Sequence, residues 1–286
     1  MGFPLVKWTP DMGPPLRCEA SCSVRIYSMT KPLVTVAALS LMEEGKIELT
    51  DPVSKYLPQL ATLQVSIAKT DPYGKVTYTL APAERPPTIQ DLMRHTAGFA
   101  YGESTGDAQV RQAYARAGVF RPEVDYDARD LTPEEEVENL AKAPLIHQPG
   151  TTWEYGLAVD VLGRVVEKAS GMRLEEFLAE RLLKPLGMKD TGFYVPKKQI
   201  GRLAQLFAID PASGNPNKVL DVSTPPKNAS GGAGGVSTAM DYMRFSQMLL
   251  NGGELDGARI LSPTVRLMTS DQLGELQRVV EPGECR

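Results

Sequence analysis

From Ser28 to Glu44 apolar residues recur at helical spacing, with Leu33, Val36, Ala37, Leu41 and Met42 on one buried face and Gly45 placed to end the helix. Further helices are predicted over Thr88 to Arg94, Ala158 to Ser170, Leu174 to Leu183, Ala239 to Leu250 and Pro263 to Asp271. Gly171 closes the second of these, and Pro185-Leu186-Gly187 stops the third. A strong start signal stands at Thr132-Pro133-Glu134-Glu135-Glu136, a threonine cap followed by proline and acids that favour a helix N-terminus. Asp51-Pro52 signals another short helix, capped by Asp51. Strand signals are fewer. Val76 to Leu80 alternates, and Thr152 to Tyr155 reads as extended. The polar stretch Ser66 to Lys69, before Thr70-Asp71-Pro72-Tyr73-Gly74, reads as a solvated turn. Residues 1–23 show neither periodicity, and 210–235 is loop-like, ending in Ser230-Gly231-Gly232-Ala233-Gly234-Gly235.

Composition narrows the function classes. The chain has 286 residues, 42% hydrophobic and 23% charged, enough for one substantial core. A net charge of −4 carries no electrostatic footprint for nucleic acid or an anionic membrane. The longest apolar stretch, Pro32 to Met42, is too short to span a bilayer, and the first residues lack the layout of a secretion signal. A cytoplasmic protein is expected, with neither nucleic acid nor membrane as partner. Cys18, Cys22 and Cys285 make no disulfide framework, and with two histidines, His95 and His147, a metal centre lacks ligands. No cofactor is expected.

Candidate chemistry begins with Ser-x-x-Lys. A serine hydroxyl is a weak nucleophile and needs a base within hydrogen-bond reach. Three residues along a helix is nearly one turn, so Ser28 and Lys31 share a face at the start of an apolar helix. Lysine becomes a base where burial or a neighbouring cation disfavours its charge. The same spacing recurs at Ser66 and Lys69, where it reads as a surface pair. Gly102-Glu103-Ser104-Thr105-Gly106 matches a nucleophile elbow with His147 downstream, but that motif needs an entering strand, and a glycine-rich loop is expected here. Tyr155 is by itself a packing residue. The glycines from Gly231 to Gly235 allow either backbone approach to a ligand or tight packing of the helix from Ala239.

Several segments occur together in a familiar order. They are Tyr27-Ser28-Met29-Thr30-Lys31, Leu41 to Ile47, Asp51-Pro52-Val53, Leu92 to Gly98, Pro149 to Tyr155, Val161-Leu162-Gly163, Pro185 to Thr191 and Gly234 to Ala239. In these the chain resembles the serine β-lactamase-like hydrolases, and most of all the family VIII carboxylesterases, which share the fold of class C β-lactamases. The resemblance implies an α+β fold in which a helical domain packs on an antiparallel sheet. It divides the chain into an irregular segment, 1–24, and a hydrolase domain, 25–286. It makes Ser28 the acylated nucleophile, Lys31 the general base and Tyr155 the proton relay, with the Ser28 N–H and a sheet-edge N–H as oxyanion donors.

Two departures qualify that expectation. Where the β-lactamases carry asparagine two residues after the tyrosine, this chain has Leu157, which favours esters over lactams. The family's third triplet, Lys-Thr-Gly or Trp-Gly-Gly on a sheet strand, is not found, so the sheet is expected to be shortened at both ends. The leading expectation is a carboxylesterase acting on a small short-chain ester. The alternatives are a β-lactamase or D-alanyl-D-alanine peptidase, and an inactive, shortened homologue that binds a partner or self-associates. The sequence leaves the oligomeric state open.

Overall fold

The computed structural model describes residues 22–102, 104–119, 129–206, 209, 214–216, 219–274 and 277–278. Its helices are α1 (Thr30–Glu43), α2 (Ile89–Met93), α3 (Ala108–Ala117), α4 (Pro133–Ala141), α5 (Ala158–Ser170), α6 (Leu174–Leu178), α7 (Ala239–Leu250) and α8 (Val265–Met268). The strands are β1 (Val24–Arg25), β2 (Gln64–Thr70), β3 (Val76–Pro82), β4 (Thr152–Trp153), β5 (Val236–Ser237), β6 (Glu254–Leu255), β7 (Ala258–Arg259) and β8 (Gln277–Arg278). Among the described residues the strands pair two at a time. Pairs β1–β5, β2–β3 and β6–β7 are antiparallel, and β4–β8 is parallel. The architecture is mixed α+β, with helices forming the bulk of it.

The centre of the molecule is α5, which packs against α1, α2, α4 and α6. Every residue from Ala158 to Val166 is buried, so this helix meets protein on all sides. Its apolar residues explain that position, each fully buried Val or Leu contributing about 1.5–3 kcal/mol. Two charged residues, Asp160 and Arg164, share this burial one turn apart. Helix α1 supplies the other main face through Leu33, Val34, Val36, Ala37 and Leu41.

Local signals account for several helix ends. Thr88 and Thr132 form capping boxes with Asp91 and Glu135. Gly171 closes α5 in the left-handed conformation at φ +73°. The hydroxyl of Thr238 accepts the Asp241 N–H at the start of α7.

Three expectations need correction, and one helix comes without any. Ser66 to Lys69 is not a turn but the middle of β2, paired with β3 along its whole length. A 3₁₀ turn, Val53–Lys55, replaces the helix expected after Asp51-Pro52, and Asp51 accepts bonds from the Glu48 N–H, Lys55 and Tyr56 instead of capping it. The segment from Pro263 to Asp271 is helical only over α8. Helix α3 was not expected, although Asp107 caps it and Val110 and Tyr114, four apart, are its buried face. In the N-terminal segment 1–24, Val24 belongs to β1, while residues 1–21, with Cys18, lie outside the described residues, as do Glu103 and Cys285. No helix among the described residues is long and apolar enough to cross a membrane.

Candidate active site

Ser28 lies in a 3₁₀ turn, Tyr27–Met29, that leads directly into α1. Tyr27 is forced to φ +41°, an uncommon conformation for a residue with a side chain. Hydrogen bonds hold this turn from three directions. Thr30 Oγ1 donates to the Tyr27 carbonyl at 2.6 Å and accepts the Gly235 N–H at 2.9 Å. The Ile26 N–H reaches the Gly235 carbonyl at 3.0 Å, and the Tyr242 hydroxyl of α7 donates to the Met29 carbonyl at 2.9 Å. The Ser28 turn is thus clamped between the glycine loop and α7.

Lys31 projects from the first turn of α1 and is 7% exposed. Its Nζ donates to Ser28 Oγ at 3.1 Å, to the Tyr101 hydroxyl at 3.1 Å and to the Gly232 carbonyl at 2.9 Å. An ammonium has three N–H donors, and each has an acceptor here. The Tyr155 ring completes the surround, its centroid 4.5 Å from Nζ. Three residues named from the sequence, Ser28, Lys31 and Tyr155, therefore converge. What differs is the manner: Tyr155 meets Lys31 through its ring, and the hydroxyl bonded to Lys31 belongs to Tyr101.

Tyr155 is 38% exposed and sits in an aromatic cluster, with ring centroids 4.9 Å from His95, 5.6 Å from Tyr101 and 6.1 Å from Trp153. Gly156 makes this possible, because a Cβ there would meet the Phe99 carbonyl oxygen at 2.2 Å. Burial, reinforced by the charge of Lys31, pushes His95 down to about 3, so its imidazole is neutral near pH 7. The Gly156 N–H donates to its Nδ1 at 3.4 Å. Beside the cluster an apolar cavity of about 330 Å³ runs along α1, lined among others by Lys31, Leu39, Met93, His95, Trp153 and Met268.

The glycine loop is anchored to α5 by the two buried charges. Asp160 Oδ1 accepts the Ser230 hydroxyl at 2.5 Å and the Gly232 N–H at 2.9 Å. One turn on, Arg164 bonds the Asn228 side chain and donates to the Ala229 carbonyl at 2.7 Å. A Cβ at Gly231 would meet the Val159 carbonyl oxygen at 2.6 Å, and one at Gly232 would meet Asp160 Oδ2 at 2.2 Å. The glycines therefore serve close packing on α5 and on Thr30, not on α7 as the sequence suggested. Burial, together with the Glu136 carboxylate, pushes the Asp160 carboxyl well above the usual range.

The decoys separate cleanly. Ser66 and Lys69 lie on a strand, where residues three apart face opposite sides, and Ser66 is buried while Lys69 is exposed. Ser104 sits exposed in the loop before α3, with no strand entering it. His147 pairs with Glu154 at 3.2 Å. Tyr101 and Asp160 were not singled out from the sequence, and Ser230 only as the start of the glycine run. Only Asp160 left a trace, as an acid within an apolar helical run.

The family model for Beta-lactamase matches residues 11–280. The chain belongs to the beta-lactamase family. Among curated proteins, Protein Rv1367c of Mycobacterium tuberculosis is 38% identical over 272 residues, covering 94% of this chain and 63% of that protein. Esterase EstB of Burkholderia gladioli is 33% identical over 210 residues, covering 73% of this chain and 46% of that one. In structure the chain is similar to EstCE1, a hydrolase with promiscuous acyltransferase activity, at a TM-score of 0.64 and 28% identity, covering 90% of this chain and 65% of that one. The chain thus spans less than two thirds of the length of these relatives.

Proposed function

We propose that this beta-lactamase-family chain is a serine carboxylesterase that hydrolyses short-chain esters through an acyl-Ser28 intermediate. The observation that carries the reading is the buried Lys31 amine 3.1 Å from Ser28 Oγ, in a turn held by the glycine loop and α7. Lys31 in its neutral form takes the Ser28 proton as Oγ bonds to the ester carbonyl carbon. The Ser28 N–H faces the oxyanion that develops. The tetrahedral intermediate collapses, the alcohol leaves with a proton relayed by the Tyr155 hydroxyl, and the acyl group stays on Ser28. Water then attacks the acyl carbon and gives a proton to Lys31, the bond from the acyl carbon to Ser28 Oγ breaks as Oγ takes a proton back through Lys31 and Tyr155, and the carboxylic acid departs. The esterase name of the Burkholderia gladioli relative supports this class of substrate.

Leu157 supports esters over lactams. It is 1% exposed and part of the core, so the position where β-lactamases present an amide offers a ligand no polar group. Hydrolysis of p-nitrophenyl butyrate by the wild type and by Ser28→Ala tests the reading. Activity abolished in Ser28→Ala is expected, and equal rates would sink it. A chromogenic cephalosporin that acylates faster than the ester would put lactams first.

A further inference from the structure

We propose that Asp160 is a positioning residue for Lys31, acting through the Ser230 hydroxyl and the Gly232–Ala233 peptide to govern how firmly Lys31 holds its proton. This role presupposes the reading of Lys31 as the base for Ser28. The connection is continuous. Lys31 Nζ donates to the Gly232 carbonyl at 2.9 Å. The N–H at the other end of that same peptide, on Ala233, donates to Ser230 Oγ at 3.0 Å. The Ser230 hydroxyl donates in turn to Asp160 Oδ1 at 2.5 Å. A charged acceptor at the end of such a chain strengthens each bond along it, because every donor is polarised by the acceptor beyond it. A carboxylate at position 160 therefore makes the Gly232 carbonyl more negative, and a more negative carbonyl holds the Lys31 ammonium more tightly.

A purely structural role does not explain the charge. Asp160 is 1% exposed, and among the described residues its Oδ2 has no hydrogen-bond partner. Burying a half-satisfied carboxylate is costly. An asparagine of the same shape could accept the Ser230 hydroxyl and the Gly232 N–H through one oxygen with no buried charge, its NH2 then taking the unpartnered place of Oδ2. What the acid adds is charge in line with Lys31. The base needs that balance, since it must accept a proton from Ser28 and also surrender it later to the departing alcohol.

The charged surroundings fix the direction of the effect. Glu136 from α4 acts on Asp160 to favour its protonation, and Lys31 from α1 acts to favour its ionised form. Arg164, the next charge along α5, is engaged with Asn228, Ala229, Glu136 and Glu167. Facing Lys31 are the hydroxyls of Ser28 and Tyr101, the ring of Tyr155, and His95, which stays neutral through the working range. Removing the charge at 160 therefore loosens the Lys31 proton, and the acidic limb of the rate profile moves to lower pH.

Two readouts test this across pH values from about 5 to about 9. They are kcat/KM for p-nitrophenyl butyrate and the rate of Ser28 phosphonylation by a fluorophosphonate, followed by intact mass, in the wild type, Asp160→Asn and Ser230→Ala. Circular dichroism melts establish that each variant is folded. Asp160→Asn is expected to move the acidic limb down by about one pH unit. Ser230→Ala moves it in the same direction by less, because the Gly232 N–H still reaches Asp160. A rate lowered by one factor at every pH, with the limb in place, overturns the proposal. Should Asp160→Asn fail to fold, an unmoved limb in Ser230→Ala overturns it equally. Wild-type labelling at Ser28 with superimposed profiles in the variants sinks the role of Asp160 alone. A wild type that neither hydrolyses the ester nor labels at Ser28 sinks the esterase reading and this role with it.

Discussion

Lys31 touches two tyrosines in different ways, and paired substitutions separate their roles. Tyr101→Phe removes the hydroxyl that accepts from Lys31 Nζ at 3.1 Å and leaves the ring in place. If Lys31 takes the Ser28 proton as proposed, that bond strengthens as the amine becomes charged and belongs to the transition state more than to the resting enzyme. A hydrogen bond to a charged group contributes about 1.5–3 kcal/mol, which translates into a loss of about 10- to 150-fold in kcat with little change in KM. Tyr155→Phe keeps the ring 4.5 Å from the ammonium, and with it a cation–π interaction of about 0.5–2 kcal/mol. It removes only the hydroxyl. If that hydroxyl relays the proton to the leaving alcohol, kcat falls by about 10²- to 10⁴-fold. Tyr155→Leu removes the ring as well and lowers the rate further. Initial rates with p-nitrophenyl butyrate, resolved into kcat and KM, provide the assay. A Tyr101→Phe enzyme within about twofold of wild type would refute the assignment of that bond to the transition state. A smaller loss in Tyr155→Phe than in Tyr101→Phe would transfer the relay to Tyr101.

Two further outcomes concern the frame of the site. In Gly235→Ala the new Cβ would lie 2.6 Å from Thr30 Oγ1 and 3.0 Å from Ile26, so the clamp on the Ser28 turn must open. A loss of about 1–3 kcal/mol in stability and slower Ser28 labelling are expected, and an unchanged melt with full reactivity would contradict the clamp. Acid stability depends on His95 and Asp91. Burial holds His95 at about 3 in the folded chain, while the unfolded chain takes up that proton near its ordinary value of 6.5. Between those values the unfolded state binds the extra proton, so stability falls with falling pH by at most about 1.4 kcal/mol per unit. Urea melts over this window should show a shallower dependence in His95→Gln, and parallel curves would refute it. Burial pushes Asp91 up, but bonds from Arg85 and Thr88 prevail and bring it to about 2. Its contribution is present above the unfolded carboxylate value and lost as pH falls through about 2.

The sequence alone determined what short-range interactions decide. Helices α5 and α7 begin and end at the residues read from their patterns, because Gly171 and Thr238 terminate or cap them by contacts within a few residues. Ser28 and Lys31 were legible for the same reason, since one helical turn puts the pair on one face, where they lie 3.1 Å apart. Only the tertiary structure disposed of the second Ser-x-x-Lys. Pairing with β3 makes Ser66 to Lys69 a strand and turns its two side chains to opposite faces. Tyr101, 70 residues from Lys31, and Gly232, 201 residues away, could not be assigned to the lysine by any local pattern. They reach it because α5, buried on every side, draws the glycine loop onto its own charges, Asp160 and Arg164. The Ser28–Lys31 pair is thus a property of one helical turn, and the contacts that surround it are a property of the packed core.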